Sequence, residues 1–282
     1  MRISLVTTTM NRAREVGELL DCLELQTRKA DEIVIVDQSA DDATQVVVAR
    51  YSDRLPITYV RDSRKGGARG RNLGYSKITG DIIGYPDDDC VFRPDTLERV
   101  YQAFAGDPGL GIFCGMSVTP KGVPSQGRWS GAKCTIDRYN VWITQTMYTT
   151  FYRAETFRQA GLFNEDLGVG AGTVWGSGEE TELMLRALRN GAKGLYDPTF
   201  QISHPEPLAV IDHATLDRGR RYNRGFGRVM RMEGYPLWFV AYMSARPLLG
   251  AAASLVKGQF GQARYRAIAF SQRLRGWSDR LQ

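Results

Sequence analysis

No run of 18 uninterrupted apolar residues occurs in this 282-residue chain, which argues against a simple membrane-spanning helix. Cysteine is scarce. The four present (Cys22, Cys90, Cys114, Cys134) include no C-x-x-C pair, so they fit reduced cytosolic thiols better than a disulfide framework. The opening Met1–Val6 reads as a strand and not as a secretory leader, because Asn11-Arg12 interrupts any apolar core of a signal peptide. The sequence therefore predicts a protein that is not exported. Neither G-x-x-x-x-G-K-[ST] nor G-x-G-x-x-G occurs, which argues against P-loop and dinucleotide-binding folds. Internal repeats and low-complexity segments are missing as well.

The length allows a full core and exceeds one small domain. The formal charge of +6 is unevenly spread. Residues 214–282 hold 13 Lys/Arg against 3 Asp/Glu, a local charge of +10, while the first 213 residues carry −4. That split suggests a near-neutral catalytic body with a basic C-terminal region facing an anionic surface.

The first 118 residues alternate strand and helix patterns. Ile3–Thr8, Ile33–Val36, Ile57–Val60, Asp81–Tyr85 and Leu110–Val118 read as strands. Between them lie a helix with Val16, Leu19, Leu20 and Leu23 on one face, capped by Asn11, a helix over 41–51, and a glycine-opened helix over 66–77. Another helix starts at Pro94. Strands separated by helices of this length imply crossover units and a mainly parallel α/β sheet with helices on both faces. Residues 119–150 read as a long functional loop or a mixed-sheet excursion. After them come a strand at 149–153, a short helix over 155–160, a mobile glycine-rich loop at 168–178, and a helix over 179–190 stopped by Gly191. Two short strands, 195–196 and 200–203, end the alternation.

Carboxylates sit at the ends of these strands. Asp87, Asp88 and Asp89 follow the 81–85 run, at the carboxyl end where open α/β sheets place their ligands. Three adjacent negative charges repel unless a cation neutralises them, and hard divalent ions take such oxygens together with substrate phosphates. Asp37, Glu179-Glu180 and His204 occupy similar strand-end or loop–helix positions. Taken singly each has a plainer role: Asp37 as a solvated turn acid, Glu179 and Glu180 as acids complementing a helix dipole, His204 as a structural histidine.

Together the segments resemble family 2 glycosyltransferases of the GT-A fold. Ser4–Arg12 looks like that family's opening strand and Thr-x-Asn-Arg turn, and Ile33–Asp41 is similar to its Val-Asp-x-Ser-x-Asp signature. Gly66–Gly74 resembles its Ala-Arg-Asn-x-Gly helix start, Pro86–Asp95 its D-x-D motif, and Trp175–Glu182 its later "ED" motif. The resemblance covers residues 2–205 and implies a role for each matching position. Thr8, Thr9, Arg12, Asp37, Arg71, Asp87 and Asp88 would bind the nucleotide sugar. Asp87, Asp89 and His204 (before Pro205-Glu206-Pro207) would hold Mn²⁺ or Mg²⁺. Glu180 would be the catalytic base where the family usually has Asp, with Trp175 and Glu179 on the acceptor side.

The implied activity is inverting transfer of a sugar from a nucleotide-diphosphate sugar, most commonly a UDP-sugar, to an acceptor hydroxyl of a glycan or lipid-linked glycan. The expected domains are a catalytic one over 1–213, nucleotide-binding to about 118 and acceptor-binding beyond, then a helical extension over 214–282. Arg218–Arg231 reads as a loop clamping the donor diphosphate or touching a membrane. The apolar stretches 235–245 and 248–256 are each too short to span a bilayer, and Arg246 is costly at their centre. The 257–280 segment suits a helix lying on an anionic membrane, or packed on the catalytic domain or on a second copy in a homo-oligomer. A cytosolic protein peripheral to the inner membrane face follows, with no nucleic-acid partner. The alternatives are a sugar-nucleotide nucleotidyltransferase, whose usual glycine-rich loop after the first strand is missing at Thr7–Arg12, and a non-enzymatic membrane- or nucleic-acid-binding module.

Overall fold

Runs of β-branched residues at Ile3–Thr9 (β1), Glu32–Asp37 (β2) and Ile57–Arg61 (β3) pair in parallel with one another, and Ile82–Gly84 (β4) joins β1 on its other side. Leu110–Val118 (β5), Cys134–Ile136 (β6), Thr150–Arg153 (β7) and Lys193–Ser203 (β8) complete an eight-stranded sheet in the order β3-β2-β1-β4-β7-β5-β8-β6. Only β7 and β6 run antiparallel to their neighbours. The computed structural model describes residues 1–205 and 211–280, so Glu206 and Pro207 of the segment after His204 lie outside the described residues.

The chain divides into two units. The first comprises residues 1–65, 69–163 and 183–206 and holds the sheet. One sheet face buries Ile3, Leu5, Ile33 and Ile35 against Val16, Leu19 and Leu20 of Ala13–Glu24 (α1) and Leu97, Val100 and Phe104 of Thr96–Gly106 (α4). Each such side chain contributes about 1.5–3 kcal/mol on burial. On the other face Gly67–Tyr75 (α3) comes unusually near: a Cβ on Gly74 would stand 2.3 Å from Val6 Cγ1, and one on Gly70 2.6 Å from Thr8 Cγ2. The short helix Ala43–Ala49 (α2) completes the β2–β3 crossover, and Ala154–Ala160 (α5) follows β7.

The second unit comprises residues 66–68, 164–182 and 207–282, with the helices His213–Met232 (α7), Leu237–Val256 (α8) and Phe260–Ser278 (α9). Glu179–Arg189 (α6) begins in this unit and ends in the first. Gly227 of α7 and Gly276 of α9 bring two backbones together: a Cβ on Gly227 would fall 2.0 Å from Arg273 O, and one on Gly276 1.9 Å from Arg224 O.

Four local expectations are corrected. Pro94 precedes the helix instead of opening it, because Asp95 takes the N-cap position of α4. The two short strands near 200 are one irregular strand, β8, whose register shifts opposite Cys114–Met116. Arg218–Arg231 is helix and not loop, its glycines serving close helix packing. The two apolar stretches form one helix, α8, with Pro247 inside it. That 20-residue helix has a mean hydropathy of 1.3, long and apolar enough to cross a membrane by length and composition. All four cysteines are unpaired, as expected.

Candidate functional site

Two loops at the carboxyl ends of β1 and β2 are tied together first. Asn11 reads as the cap of α1, yet it lies one residue earlier with φ 59°, a left-handed conformation that Asn tolerates better than most residues. Its backbone N–H donates to Ser39 Oγ at 2.7 Å, and the Ser39 hydroxyl donates in turn to Asp37 Oδ1 at 2.5 Å. Tyr59 of β3 donates to Asp37 Oδ2 at 2.7 Å. Asp37 is thereby fully buried and satisfied on both oxygens, and it holds the turn on which Ser39 receives Asn11.

The β1 side chains then reach the acidic turn. Thr7 Oγ1 donates to Pro86 O at 3.0 Å, and Thr9 Oγ1 donates to Asp88 Oδ2 at 2.7 Å. Alternation along the strand points both hydroxyls to one face, while Thr8 points to the opposite face and packs on Gly70. Arg12 grips two acids, with Nη1 3.0 Å from Asp88 Oδ1 and Nη2 2.6 Å from Asp89 Oδ2. Arg71, from α3, lies 3.4 Å from Asp87 Oδ1 with its guanidinium over the Phe163 ring.

His204 arrives from 112 residues further on than Phe92. Val91 and Ser203 exchange backbone hydrogen bonds at 2.8 and 3.1 Å, which pins the residue after β8 beside the acidic turn. His204 Nε2 stands 3.0 Å from Asp89 Oδ1, its Nδ1 lies 2.7 Å from Pro205 O, and the ring stacks on Tyr148 at 4.8 Å. Both ring nitrogens thus face oxygen acceptors.

Asp88 and Asp89 are electrostatically unlike. Burial pushes Asp88 up to about 6 despite the Thr9 hydrogen bond and the Arg12 charge. For Asp89 burial acts in the same direction, but hydrogen bonds and charge from His204 and Arg12 outweigh it and hold the carboxyl at about 2. Burial lowers His204, yet Asp89 more than compensates and the imidazole pKa is raised. Asp89 is therefore held as an anion between Arg12 and His204.

The Asp89–His204 pair passes a chemical test for a divalent cation: an ionised oxygen and an imidazole nitrogen 3.0 Å apart, each with outer partners that orient it. Among the described residues no group of three His, Cys, Asp or Glu side chains converges as a ready metal cage. Mn²⁺ or Mg²⁺ here would draw its remaining ligands from substrate phosphate and water, its usual habit. Asp87 lies 3.4 Å from Arg71 Nη2.

The residues expected on the acceptor side, Trp175, Glu179 and Glu180, belong to the second unit. The glycine-rich loop, expected to be mobile, is laced to itself and to α7. Gly168 N–H donates to Trp175 O, Thr173 Oγ1 to Asp166 O at 2.6 Å, Gly176 N–H to Arg221 O at 3.1 Å, and Ser177 Oγ to Tyr222 O at 2.8 Å. Trp175 donates its indole N–H to Asp279 at 2.7 Å and carries the Arg228 guanidinium 4.2 Å from its ring centroid. Glu179 is buried, its carboxylate against Gly168, where a Cβ would stand 2.6 Å away. Glu180, in the same first turn of α6, is half-buried and the more accessible of the two adjacent acids.

Sequence reasoning missed Thr7, Tyr59, Gln126 and Tyr148. Gln126 Nε2 lies 3.2 Å from His204 Nδ1 and donates to Pro205 O. Thr7 was findable from strand alternation with Thr9; the other three carry no local signal. Ser39 and Asn72 lay inside recognised segments without a role. Asn72 donates to Phe163 O and accepts from Phe163 N–H, fixing the residue on which Arg71 rests.

A sequence profile described as Glycosyl transferase family 2 matches residues 4–171. An uncharacterized glycosyltransferase of Haemophilus influenzae is 34% identical over 112 residues, 39% of this chain and 37% of that protein. The first curated relatives matched are covered over little more than a third of their own length, 37%, 36% and 37%. Among solved structures, the mannosyltransferase PcManGT from Pyrobaculum calidifontis, in complex with GDP-Man and Mn²⁺, superposes with a TM-score of 0.67 at 20% identity, over 97% of this chain and 87% of that one. TarS 1-349 of S. aureus in complex with UDP-GlcNAc gives 0.58 at 18% identity, over 97% and 92%. At these identities the structural likeness shows the fold, a mainly parallel GT-A sheet flanked by helices.

Proposed function

The chain belongs to glycosyl transferase family 2, and from that membership we propose that it transfers a sugar from a nucleoside-diphosphate donor to an acceptor hydroxyl, with inversion at the anomeric carbon. The observation that supports this most is the grip of Thr9, Arg12 and His204 on Asp88 and Asp89 at the carboxyl end of the sheet. Thr8, Thr9, Arg12, Asp37, Arg71, Asp87 and Asp88 form the donor side, with Asp37 acting through the Ser39 turn. When bound, Mn²⁺ or Mg²⁺ supplies positive charge to the leaving diphosphate. Asp89 and His204 would hold it, with Asp87 in the same turn. Glu180 removes the proton of the acceptor hydroxyl, whose oxygen attacks the anomeric carbon as the bond to the diphosphate breaks and its electron pair leaves with phosphate. Trp175 and Glu179 shape the acceptor side by fixing the loop before Glu180. One solved structure of similar fold is in complex with GDP-Man and another with UDP-GlcNAc, so guanosine and uridine donors are the first to try.

A screen of nucleotide sugars with Mn²⁺ and Mg²⁺ tests this reading, first by thermal shift and then by product analysis. Release of nucleoside diphosphate is the expected result; release of pyrophosphate would instead identify a nucleotidyltransferase.

We also propose that the chain works on the inner face of a membrane, on a glycan or lipid-linked acceptor. The supporting observation is α8, whose exposed residues are all apolar: Leu237, Trp238, Ala241, Tyr242, Leu248, Leu249, Ala252, Ala253, Leu255 and Val256. This moves the contact from α9, as the sequence suggested, to α8. Co-sedimentation with anionic vesicles should fall at least several-fold in Trp238→Glu/Leu249→Glu; unchanged binding would remove α8 from the membrane.

A further inference from the structure

Among the described residues, glycine occupies every position of positive φ except two, Asn11 and Gln126. Asparagine tolerates that backbone, but a glutamine there costs about 1–2 kcal/mol. Gln126 has φ 62°, on an exposed loop between β5 and β6, and glycine would take the same conformation freely. A residue kept in such a conformation points to a task for its side chain.

That side chain reaches the residues after β8. Its amide nitrogen donates to Pro205 O at 3.1 Å and lies 3.2 Å from His204 Nδ1. His204 Nδ1 lies 2.7 Å from the same carbonyl oxygen, which has lone pairs for both hydrogens. With Nδ1–H given to Pro205 O, Nε2 is the ring nitrogen left to face Asp89, 3.0 Å away. The face of the ring is set separately. Tyr148 stacks on it at 4.8 Å with 18° between the planes. Tyr148 is buried, and its hydroxyl lies 2.6 Å from Ser117 Oγ, itself 3.0 Å from Ser125 Oγ. Ser125 directly precedes Gln126, and Trp129 fixes it by donating an indole N–H to Ser125 O at 2.7 Å. One chain of hydroxyls therefore joins the support at the edge of the imidazole to the support on its face.

We propose that Gln126 and Tyr148 are positioning residues for the divalent cation, holding His204 with Nε2 turned toward Asp89. The proposal rests on the reading that Asp89 and His204 hold that cation; neither Gln126 nor Tyr148 is a ligand in it.

The chain contains two histidines, His204 and the exposed His213, so two imidazoles appear in its NMR spectrum and His213→Ala assigns them. The full-length protein, labelled with ¹⁵N-histidine, is titrated with MnCl₂ alone. Paramagnetic broadening of the His204 signals then gives the cation affinity without donor, acceptor or turnover. That affinity should fall about tenfold in Gln126→Gly and in Tyr148→Leu, the scale for losing a group that orients a metal ligand. Tyr148→Phe keeps the stacked ring and should stay within about threefold of wild type. Gln126→Gly also separates positioning from folding. Relief of the left-handed backbone offsets the roughly 0.5–1 kcal/mol that glycine adds to the entropy of the unfolded chain. Its thermal midpoint should therefore stay within about 3 °C of wild type while its affinity falls. Should Tyr148→Leu fail to fold, Gln126→Gly decides alone. Unchanged affinity in a variant overturns the role of that residue and leaves the cation reading standing. Loss of affinity in Gln126→Gly together with a midpoint lowered by more than about 5 °C would make Gln126 a folding residue and overturn its role as well. No broadening of His204 in wild type overturns both the proposal and the reading beneath it.

Discussion

The two units handle charge in opposite ways. In the sheet unit every acid of the 87–89 turn is met by a cation or a hydroxyl from a distant part of the chain: Asp87 by Arg71, Asp88 by Thr9 and Arg12, Asp89 by Arg12 and His204. In the helical unit arginines outnumber acids, and helix backbones set the spacing between them while carboxylates neutralise only some. The first arrangement places single atoms; the second places a field. The proposed donor, with a diphosphate and a cation, would need the former, while the proposed membrane contact would need only the latter.

That contrast breaks most sharply at Asp89. Asp89→Ala should lower kcat/KM by roughly 10³-fold, the scale for losing stabilisation of developing charge, and should weaken cation-dependent donor binding. Activity within about twofold of wild type would remove Asp89 from the site. Glu180→Gln should cost roughly 10²-fold or more in kcat while leaving donor affinity unchanged, as expected of a proton acceptor. An equal rise in KM for donor would mean that it binds instead.

On the helical side the prediction concerns stability. Gly276→Ala drives a methyl into Arg224 O and should destabilise by about 1–3 kcal/mol, read as a lowered thermal midpoint. A midpoint unchanged within about 1 °C would show that the helices can part there at no cost. Smaller still is Trp175→Phe, which deletes the hydrogen bond to Asp279 and should cost about 1 kcal/mol.

The smallest effect belongs to acid sensitivity in the sheet unit. Burial raises the Glu32 carboxyl, but hydrogen bonds from Ser4 and Thr79 and the charge of Arg2 outweigh it and bring it to about 2, below its ordinary 4.5. Because the folded value is depressed, its contribution is fully present above pH 4.5 and is lost as the pH falls toward 2. Glu32→Gln should therefore flatten the thermal-midpoint profile over that window. Superimposable slopes for variant and wild type would rule the contribution out.

Much of the sheet unit could be read from the chain. Runs such as Ile33–Val36 are too short and too β-branched for anything but buried strands, and their terminal acids mark the ligand edge. The Asp89–His204 pair was suggested only by resemblance, because the Val91–Ser203 bridge that makes it joins distant segments. The helical unit was read less well, for one reason: glycine has two meanings. In Arg218–Arg231 it suggested a loop, but Gly219 and Gly227 are there to let α9 approach, which no local pattern encodes. Pro247 misled similarly, since α8 continues through it. Glu180, by contrast, was expected from its motif, and it is half-buried where its neighbour Glu179 is buried.

The Gly227–Gly276 crossing has a consequence for how this protein can vary. Where two main chains touch with no side chain between them, a one-residue slip would bring Arg275 or Trp277 into a gap that admits only hydrogen atoms. The crossing is thus a keyed joint. Substitutions along the outer surfaces of α7 and α9 leave the joint untouched, so the outer face of this half of the molecule is free to drift while its geometry is not.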